Sequence, residues 1–367
     1  MACDYIALAA QGVQGLSPYV PGKPVEELER ELGIANIIKL ASNENPLGPS
    51  PKVLAALEKV KADLTRYPDG NGFVLKQALS RHFDVAQHTI TLGNGSNDVL
   101  EIIARAYLAP GDEAIYSQYA FAVYPIAVQA VGATAVVTPA VDYGHDLDAM
   151  AAAVTDKTKL IFIANPNNPS GTWFGKLQWE TFMAKVPENV LVVLDEAYIE
   201  YVEDADALDG LHYIGRYPNL IVSRTFSKAY GLAGLRVGYC ISHPQVANVL
   251  NRVRQPFNVD SFALAAATAA LEDVEYLQCS RQNNRDGMRL LEDGFQNLGL
   301  DYIPSAGNFI TVHFGRDAAP LYQALLREGV IVRPVANYGM PESLRVSIGL
   351  PAENRRFLDA LTKVLAQ

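Results

Sequence analysis

Cysteine is scarce: Cys3, Cys240 and Cys279 are the three in 367 residues, an odd number at wide separations. That leaves no disulfide framework and no zinc-ligand spacing, and it fits a reducing, cytoplasmic compartment. The six histidines (His82, His88, His145, His212, His243, His313) have no paired spacing either, so no metal is expected. Positive charge is also short, with 30 Lys and Arg against 40 Asp and Glu, a net charge of −10. This speaks against nucleic acid or an anionic membrane as a partner. An anionic ligand must then be held by a local arginine cluster, because the overall field repels it. Asp4 and the lack of a basic segment before the first apolar residues do not read as a signal peptide. One stretch, Ala114–Val141, has no charge at all, but Pro125, Gly132 and Pro139 cut it into pieces too short to span a bilayer. It reads as strand Ala114–Ser117, helix Phe121–Val131 and strand Thr134–Val137, a buried β-α-β unit.

What is present is globular: 49% hydrophobic and 19% charged residues. The length favours two domains over one core. Leu160–Ala164, Val190–Leu194, Leu220–Ser223 and Val237–Ile241 are continuous apolar runs, which suit strands covered by helices on both faces. Amphipathic stretches such as Leu177–Lys185 lie between them as crossovers. The expectation is an α/β domain over 46–254, with a mostly parallel sheet sandwiched by helices. A smaller C-terminal α+β domain occupies 255–367. Residues 1–45, with Pro18, Pro21 and Pro24, read as an arm.

The densest chemistry lies in Arg224-Thr225-Phe226-Ser227-Lys228-Ala229-Tyr230-Gly231-Leu232-Ala233-Gly234-Leu235-Arg236. Thr225 and Ser227 offer hydroxyls, and Arg236 offers a fixed fork for an anion. Lys228 beside positive charge favours the neutral amine that can join a carbonyl carbon. Taken alone, Lys228 is as readily a solvated loop lysine. Gly93-Asn94-Gly95-Ser96-Asn97-Asp98 opens a helix whose free N–H groups make an anion seat, or simply a capped start. Asp195 ends an apolar run, where open α/β sheets hold ligands, though caps and turns also place Asp there. Asn165-Pro166-Asn167-Asn168-Pro169-Ser170-Gly171 has the composition of an ordinary turn.

Together these motifs resemble those of the fold-type-I aminotransferases, which use pyridoxal 5′-phosphate, in the branch of the histidinol-phosphate aminotransferases (class II signature). The resemblance covers nearly the whole chain. It implies that Lys228 carries the cofactor and that Asp195 faces its pyridine nitrogen. Tyr198 and Asn168 then meet its phenolic oxygen, and Phe121 stacks on its ring. Ser96, Asn97, Thr225, Ser227 and Arg236 form the phosphate cup. At Tyr119-Ala120 the sequence departs from the usual Pro-Thr before Phe121.

The same resemblance implies a homodimer in which Tyr67, in Arg66-Tyr67-Pro68, reaches the neighbouring subunit's cofactor phosphate. It assigns substrate contacts to Asn45 (in Leu40-Ala41-Ser42-Asn43-Glu44-Asn45-Pro46), Arg333 and Arg345. Leu16-Ser17-Pro18-Tyr19 resembles the element whose tyrosine reaches a substrate phosphate. The implied reaction belongs to histidine biosynthesis: transamination of L-histidinol phosphate, a phosphorylated amino alcohol, with 2-oxoglutarate, which becomes glutamate. Aromatic or broad-range amino acid transfer and decarboxylation of a phosphorylated threonine are the alternatives on this scaffold. A non-catalytic sensor fused to a DNA-binding module is disfavoured by charge and by the lack of residues for such a module.

Overall fold

The computed structural model describes residues 3–366. Its centre is a seven-stranded sheet: β1 (Ile90–Gly93), β2 (Glu113–Ser117), β3 (Thr134–Thr138), β4 (Thr158–Ala164), β5 (Leu191–Asp195), β6 (Leu220–Thr225) and β7 (Gly238–Ser242). The spatial order is β1-β7-β6-β5-β4-β2-β3. Neighbours from β6 through β5, β4 and β2 to β3 are parallel, whereas β7 runs antiparallel to both β1 and β6. The apolar runs follow from this burial. Leu160, Ile161, Phe162 and Ile163 on β4 and Val192, Val193 and Leu194 on β5 have no exposed surface. Alternate side chains enter opposite clusters, Phe162 with Tyr124 and Val128 on one face, Ile161 and Ile163 with Trp179 and Phe182 on the other.

Three sequence expectations need correction. β3 is an edge strand, with Thr134, Ala135 and Val137 exposed, so the uncharged β-α-β unit is not buried throughout. A missing charge there blunts no edge, and its exposure could not be inferred from apolarity. β6 continues past Ser223, placing Arg224 and Thr225 on the strand rather than in the loop. Strand alternation sends them to opposite faces: Arg224 forms a buried ion pair with Glu196 Oε2 at 2.7 Å, away from the cavity lined by Thr225. Lastly, the domain boundary at 254/255 does not follow the packing. The helix Ser261–Leu271, capped by Asp260 Oδ1, shares a core with Ile90, Leu92, Tyr239 and Ile241 of the large sheet.

Beyond it, the helix Val274–Asn297 begins the second core. A four-stranded antiparallel sheet runs Tyr302–Ile303, Phe309–His313, Ser343–Ser347, Arg333–Pro334 in space. Phe295, Ile310, Val346 and Phe357 meet beneath it. The arm does not stay apart. Ile38–Lys39 pairs in parallel with Val330–Ile331, and Leu40 and Ile38 enter the same core. No described helix is long and apolar enough to cross a membrane.

Candidate active site

The carboxyl ends of β4, β5 and β6 open together, as parallel topology requires, onto a cavity of about 260 Å³. Into it fall Lys228, Asp195, Tyr198, Ser96, Asn97, Phe121, Asn168, Thr225, Ser227, Arg236, Tyr19, Arg333 and Arg345. These come from the large sheet, the arm and the second core. Neither domain alone could supply them.

Lys228 sits three residues beyond β6, and its Nζ donates to Ser42 O at 3.2 Å. Burial, seconded by the Arg345 guanidinium, pulls the amine from its usual 10.5 down to about 7. It therefore has a large neutral fraction at neutral pH. The Tyr198 ring lies 5.7 Å from Nζ, and the Tyr198 hydroxyl accepts from Asn43 Nδ2 at 3.0 Å. Burial holds that phenol protonated, with its pKa pushed up to about 12.

Asp195 closes β5 and is 4% exposed. Its Oδ2 accepts from Tyr124 Oη at 2.9 Å, while Oδ1 is buried with no hydrogen-bond partner among the described residues. Burial raises this carboxyl to about 6, against the opposing pull of Tyr124 and then Lys228. A buried carboxylate oxygen left unpaired carries a cost unless a donor from a ligand meets it.

An anion seat lies at the start of the helix Ser96–Tyr107. Its N-cap, Gly95, has no side chain to cap it, so its first-turn N–H groups are open to a ligand. Gly95 has φ +81, and a Cβ there would stand 2.4 Å from Arg236 Nη2. Glycine is thus required both by conformation and by the approach of the arginine. Arg236 Nη1 donates to Ser227 Oγ at 3.3 Å and to Ala233 O at 3.0 Å. Thr225 Oγ1 donates to Ser227 Oγ at 3.0 Å. Hydroxyls, a guanidinium and free amides converge.

A second positive centre comes from the smaller sheet, where Arg333 and Arg345 are direct cross-strand partners. Both are buried, at 8% and 6% exposure. Among the described residues neither is paired with a carboxylate. Arg333 Nη2 donates to Val20 O at 2.9 Å, and Arg345 donates to Ala41 O at 2.8 Å and to Asn168 Oδ1. Tyr19 lies under the Arg333 guanidinium, 5.7 Å from ring centroid to Cζ.

Two expected site residues lie elsewhere. Asn45 does not line the cavity; its Nδ2 donates to Ala229 O and Ser280 Oγ, which corrects the substrate contact to a brace behind the lysine loop. Tyr67 is 82% exposed and stacks on Phe257 at 4.7 Å, outside this chain's own cavity. Sequence reasoning passed over Asn43, Glu44 and Tyr338, which line the cavity, and Tyr124 behind it. Asn43 lies within the segment Leu40–Pro46, and Tyr124 follows Phe121 by three residues at the entry to the helix Val123–Ala130. Tyr338 had no such signal. At Tyr119, where the sequence departs from the usual pattern, the ring packs on Tyr143 at 5.5 Å and the carbonyl accepts from Asn167 Nδ2.

A doubly wound sheet with a lysine, a strand-end carboxylate and an anion seat at its carboxyl edge defines an aminotransferase-type cavity. The chain belongs to the aminotransferase class I and II family, whose sequence pattern matches residues 35–361. It is 67% identical over 369 residues to histidinol-phosphate aminotransferase 2 of Pseudomonas fluorescens strain Pf-5, covering 100% of both chains. It is 66% identical over 365 residues to the protein of that name from Pseudomonas aeruginosa strain PAO1, with 99% of each covered. Among solved structures, histidinol-phosphate aminotransferase from Sinorhizobium meliloti in complex with pyridoxal 5′-phosphate superposes with a TM-score of 0.90 at 33% identity. That match covers 97% of this chain and 96% of the other. Aspartate aminotransferase from Thermus thermophilus with maleate, 22% identical with a TM-score of 0.83, shares the fold.

Proposed function

We propose that this protein transaminates L-histidinol phosphate with 2-oxoglutarate in histidine biosynthesis, using pyridoxal 5′-phosphate held on Lys228. The observation that carries the substrate class is the cross-strand pair Arg333–Arg345, buried and with no carboxylate partner among the described residues, in the cavity that contains Lys228. Like charges placed opposite one another destabilise a sheet unless an anion lies between them. The identity of 67% to a histidinol-phosphate aminotransferase supports the choice of anion.

The cavity fits the cofactor group by group. The unpaired Asp195 Oδ1 matches a protonated ring nitrogen, and the seat at Ser96, Asn97, Thr225, Ser227 and Arg236 matches a phosphate. Asn168 and Tyr198 suit the phenolic oxygen, and Phe121 the ring face. When bound, the cofactor supplies an aldehyde carbon for amines and a ring that takes up the electron pair left at substrate Cα.

The residues' own work follows from their chemistry. Lys228, with a large neutral fraction near pH 7, would hold the cofactor's aldehyde carbon and yield it to a substrate amine. Freed, its Nζ would be the base placed to take the proton from substrate Cα and the acid that gives it up again across the shared nitrogen. Asp195 would keep the ring nitrogen protonated. Arg345 and Arg333, with Tyr19, hold the phosphate of one substrate and the carboxylate of the other, so one anion site serves both half-reactions. Burial of Arg333 and Arg345 strengthens their hold on an anion.

The same reading includes a homodimer. Tyr67 and Phe257 form an exposed aromatic stack, with Phe73 (54% exposed) and Leu64 (64% exposed) nearby in sequence. In the dimer Tyr67 reaches the phosphate seat of the other copy. The cytoplasm is the proposed compartment, in keeping with free Cys3, Cys240 and Cys279.

The test is glutamate formation from 2-oxoglutarate with histidinol phosphate, histidinol, phenylalanine and aspartate as competing amine donors. Histidinol phosphate is expected to have the highest kcat/KM. A preference for phenylalanine or aspartate, with histidinol phosphate ignored, overturns the substrate assignment and leaves the aminotransferase chemistry standing.

A further inference from the structure

The role of Asp195 Oδ1 depends on what fixes the other oxygen of the same carboxylate. We infer that Tyr124 is a positioning residue for the cofactor's ring nitrogen: its hydroxyl clamps Asp195 Oδ2, so that Oδ1 meets the nitrogen as a fixed carboxylate oxygen. This rests on the cofactor reading proposed above and assigns a further residue to it.

The tyrosine has no freedom to do otherwise. It has no exposed surface, stacks on Phe162 at 5.0 Å with an interplanar angle of 15°, and meets Phe121 edge-on at 5.9 Å. Two rings therefore set the direction of its O–H bond, which reaches Asp195 Oδ2 at 2.9 Å. Burial, reinforced by the Asp195 charge, holds the phenol well above its usual pKa of 10, so it remains a donor throughout the working range. A carboxylate accepts where its acid form donates, and a permanent donor on Oδ2 favours the ionised form. The other groups acting on this carboxyl are the Lys228 amine and the Ala197 backbone N–H, both of which favour ionisation. Tyr124 opposes burial more than either. Because Phe121 lies just before the helix Val123–Ala130, with its carbonyl accepting from Tyr124 N–H at 3.0 Å and its ring edge-on to the tyrosine, the same residue braces the ring-face contact and the ring-nitrogen contact.

Tyr124→Phe keeps both aromatic contacts and deletes only the hydroxyl. Three readouts separate a role at the nitrogen from a role in shape. These are the Kd of pyridoxal 5′-phosphate for the apoprotein, the Kd of its 1-deaza analogue, and the 15N shift of the ring nitrogen in labelled cofactor. The variant should bind pyridoxal 5′-phosphate roughly 10-fold or more weakly, the scale of one lost hydrogen bond to a charged group. Its 15N shift should move towards the unprotonated value at pH 8. For the deaza analogue, which offers no nitrogen, the affinity gap should close to within about 2-fold, because the coupled partner is gone. In an Asp195→Asn background the same hydroxyl deletion should cost little. An equal loss for both ligands makes Tyr124 a packing residue and overturns the inference, as does an unchanged 15N shift. If the wild type takes up no pyridoxal 5′-phosphate, the cofactor reading itself falls.

Discussion

Arg345→Ala offers a sharp test of the anion site, because its consequences divide into a common part and a phosphate-specific part. The guanidinium is 6% exposed and makes two internal contacts, to Ala41 O and to Asn168 Oδ1. Losing them loosens the arm and the Asn168 turn, and this affects every substrate. Phosphorylated substrate loses in addition one partner of a buried charge pair, which costs about 2–5 kcal/mol. At about 1.36 kcal/mol per tenfold, that is roughly 30-fold to a few thousand-fold in kcat/KM. The ratio of kcat/KM for histidinol phosphate to that for histidinol cancels the common part and isolates the second. Wild type should show a ratio of about 10⁴, the discrimination typical of a site built on charged hydrogen bonds. The variant's ratio should fall by the factor just given, with glutamate weakened in parallel. Arg345→Lys keeps the charge without the planar fork and should restore part of it. The assay is steady-state kinetics on protein whose far-ultraviolet circular dichroism and cofactor content match the wild type. An unchanged ratio in Arg345→Ala refutes the placement of the phosphate.

Four further outcomes follow from the same geometry. Lys228→Ala should stay folded yet lose the yellow band that borohydride reduces and fixes, together with nearly all turnover; a reducible band surviving in it places the attachment elsewhere. Asp195→Asn should still bind cofactor but turn over about 10- to 100-fold more slowly, one charged hydrogen bond being lost, and wild-type kcat would reduce Asp195 to a strand-end cap. Mixing Tyr67→Phe and Lys228→Ala protomers should regenerate activity above the sum of the two variants, since heterodimers contain one intact site; no gain would confine Tyr67 to its own subunit. Because burial and Arg345 bring the Lys228 amine down to about 7, it is protonated and unreactive below that pH and neutral above it. Association of cofactor with apoprotein should therefore quicken up to about pH 7 and then level off; a rate still climbing towards pH 10 contradicts the burial argument.

Much of the architecture was legible because burial on both faces leaves a plain mark. Runs such as Leu160–Ala164 and Val190–Leu194 needed no partner to be read as central strands. Direction was not legible: Val237–Ile241 is as apolar as its neighbours, yet β7 is the antiparallel member. Two-sided burial imposes the same composition on either orientation. The large-domain packing of the helix Ser261–Leu271 is hidden for a related reason. Pro256 and an aperiodic stretch look like a linker, whereas Asn258 holds the chain to the large domain through Leu92 O and Asp98 Oδ2.

In the site, legibility followed the distance over which each residue's role is determined. Lys228, Asp195 and the glycines before Ser96 sit at strand-to-loop or loop-to-helix transitions, so local sequence carries both their position and their exposure to a ligand. Arg333 and Arg345 were legible one at a time as motifs. Their meaning as a pair lies in a register, Arg333 opposite Arg345, that only the folded sheet creates. Tyr124 is the extreme case: its partner is 71 residues away, and the tyrosine itself has no exposed surface. A buried tyrosine in an apolar helix reads as packing until its hydroxyl is followed to the acid it meets. What the sequence conceals at this site is therefore the support of the reactive groups, and the reason is physical. Support comes from side chains whose polar atoms are satisfied inside the protein, and such atoms leave no trace in local pattern or charge.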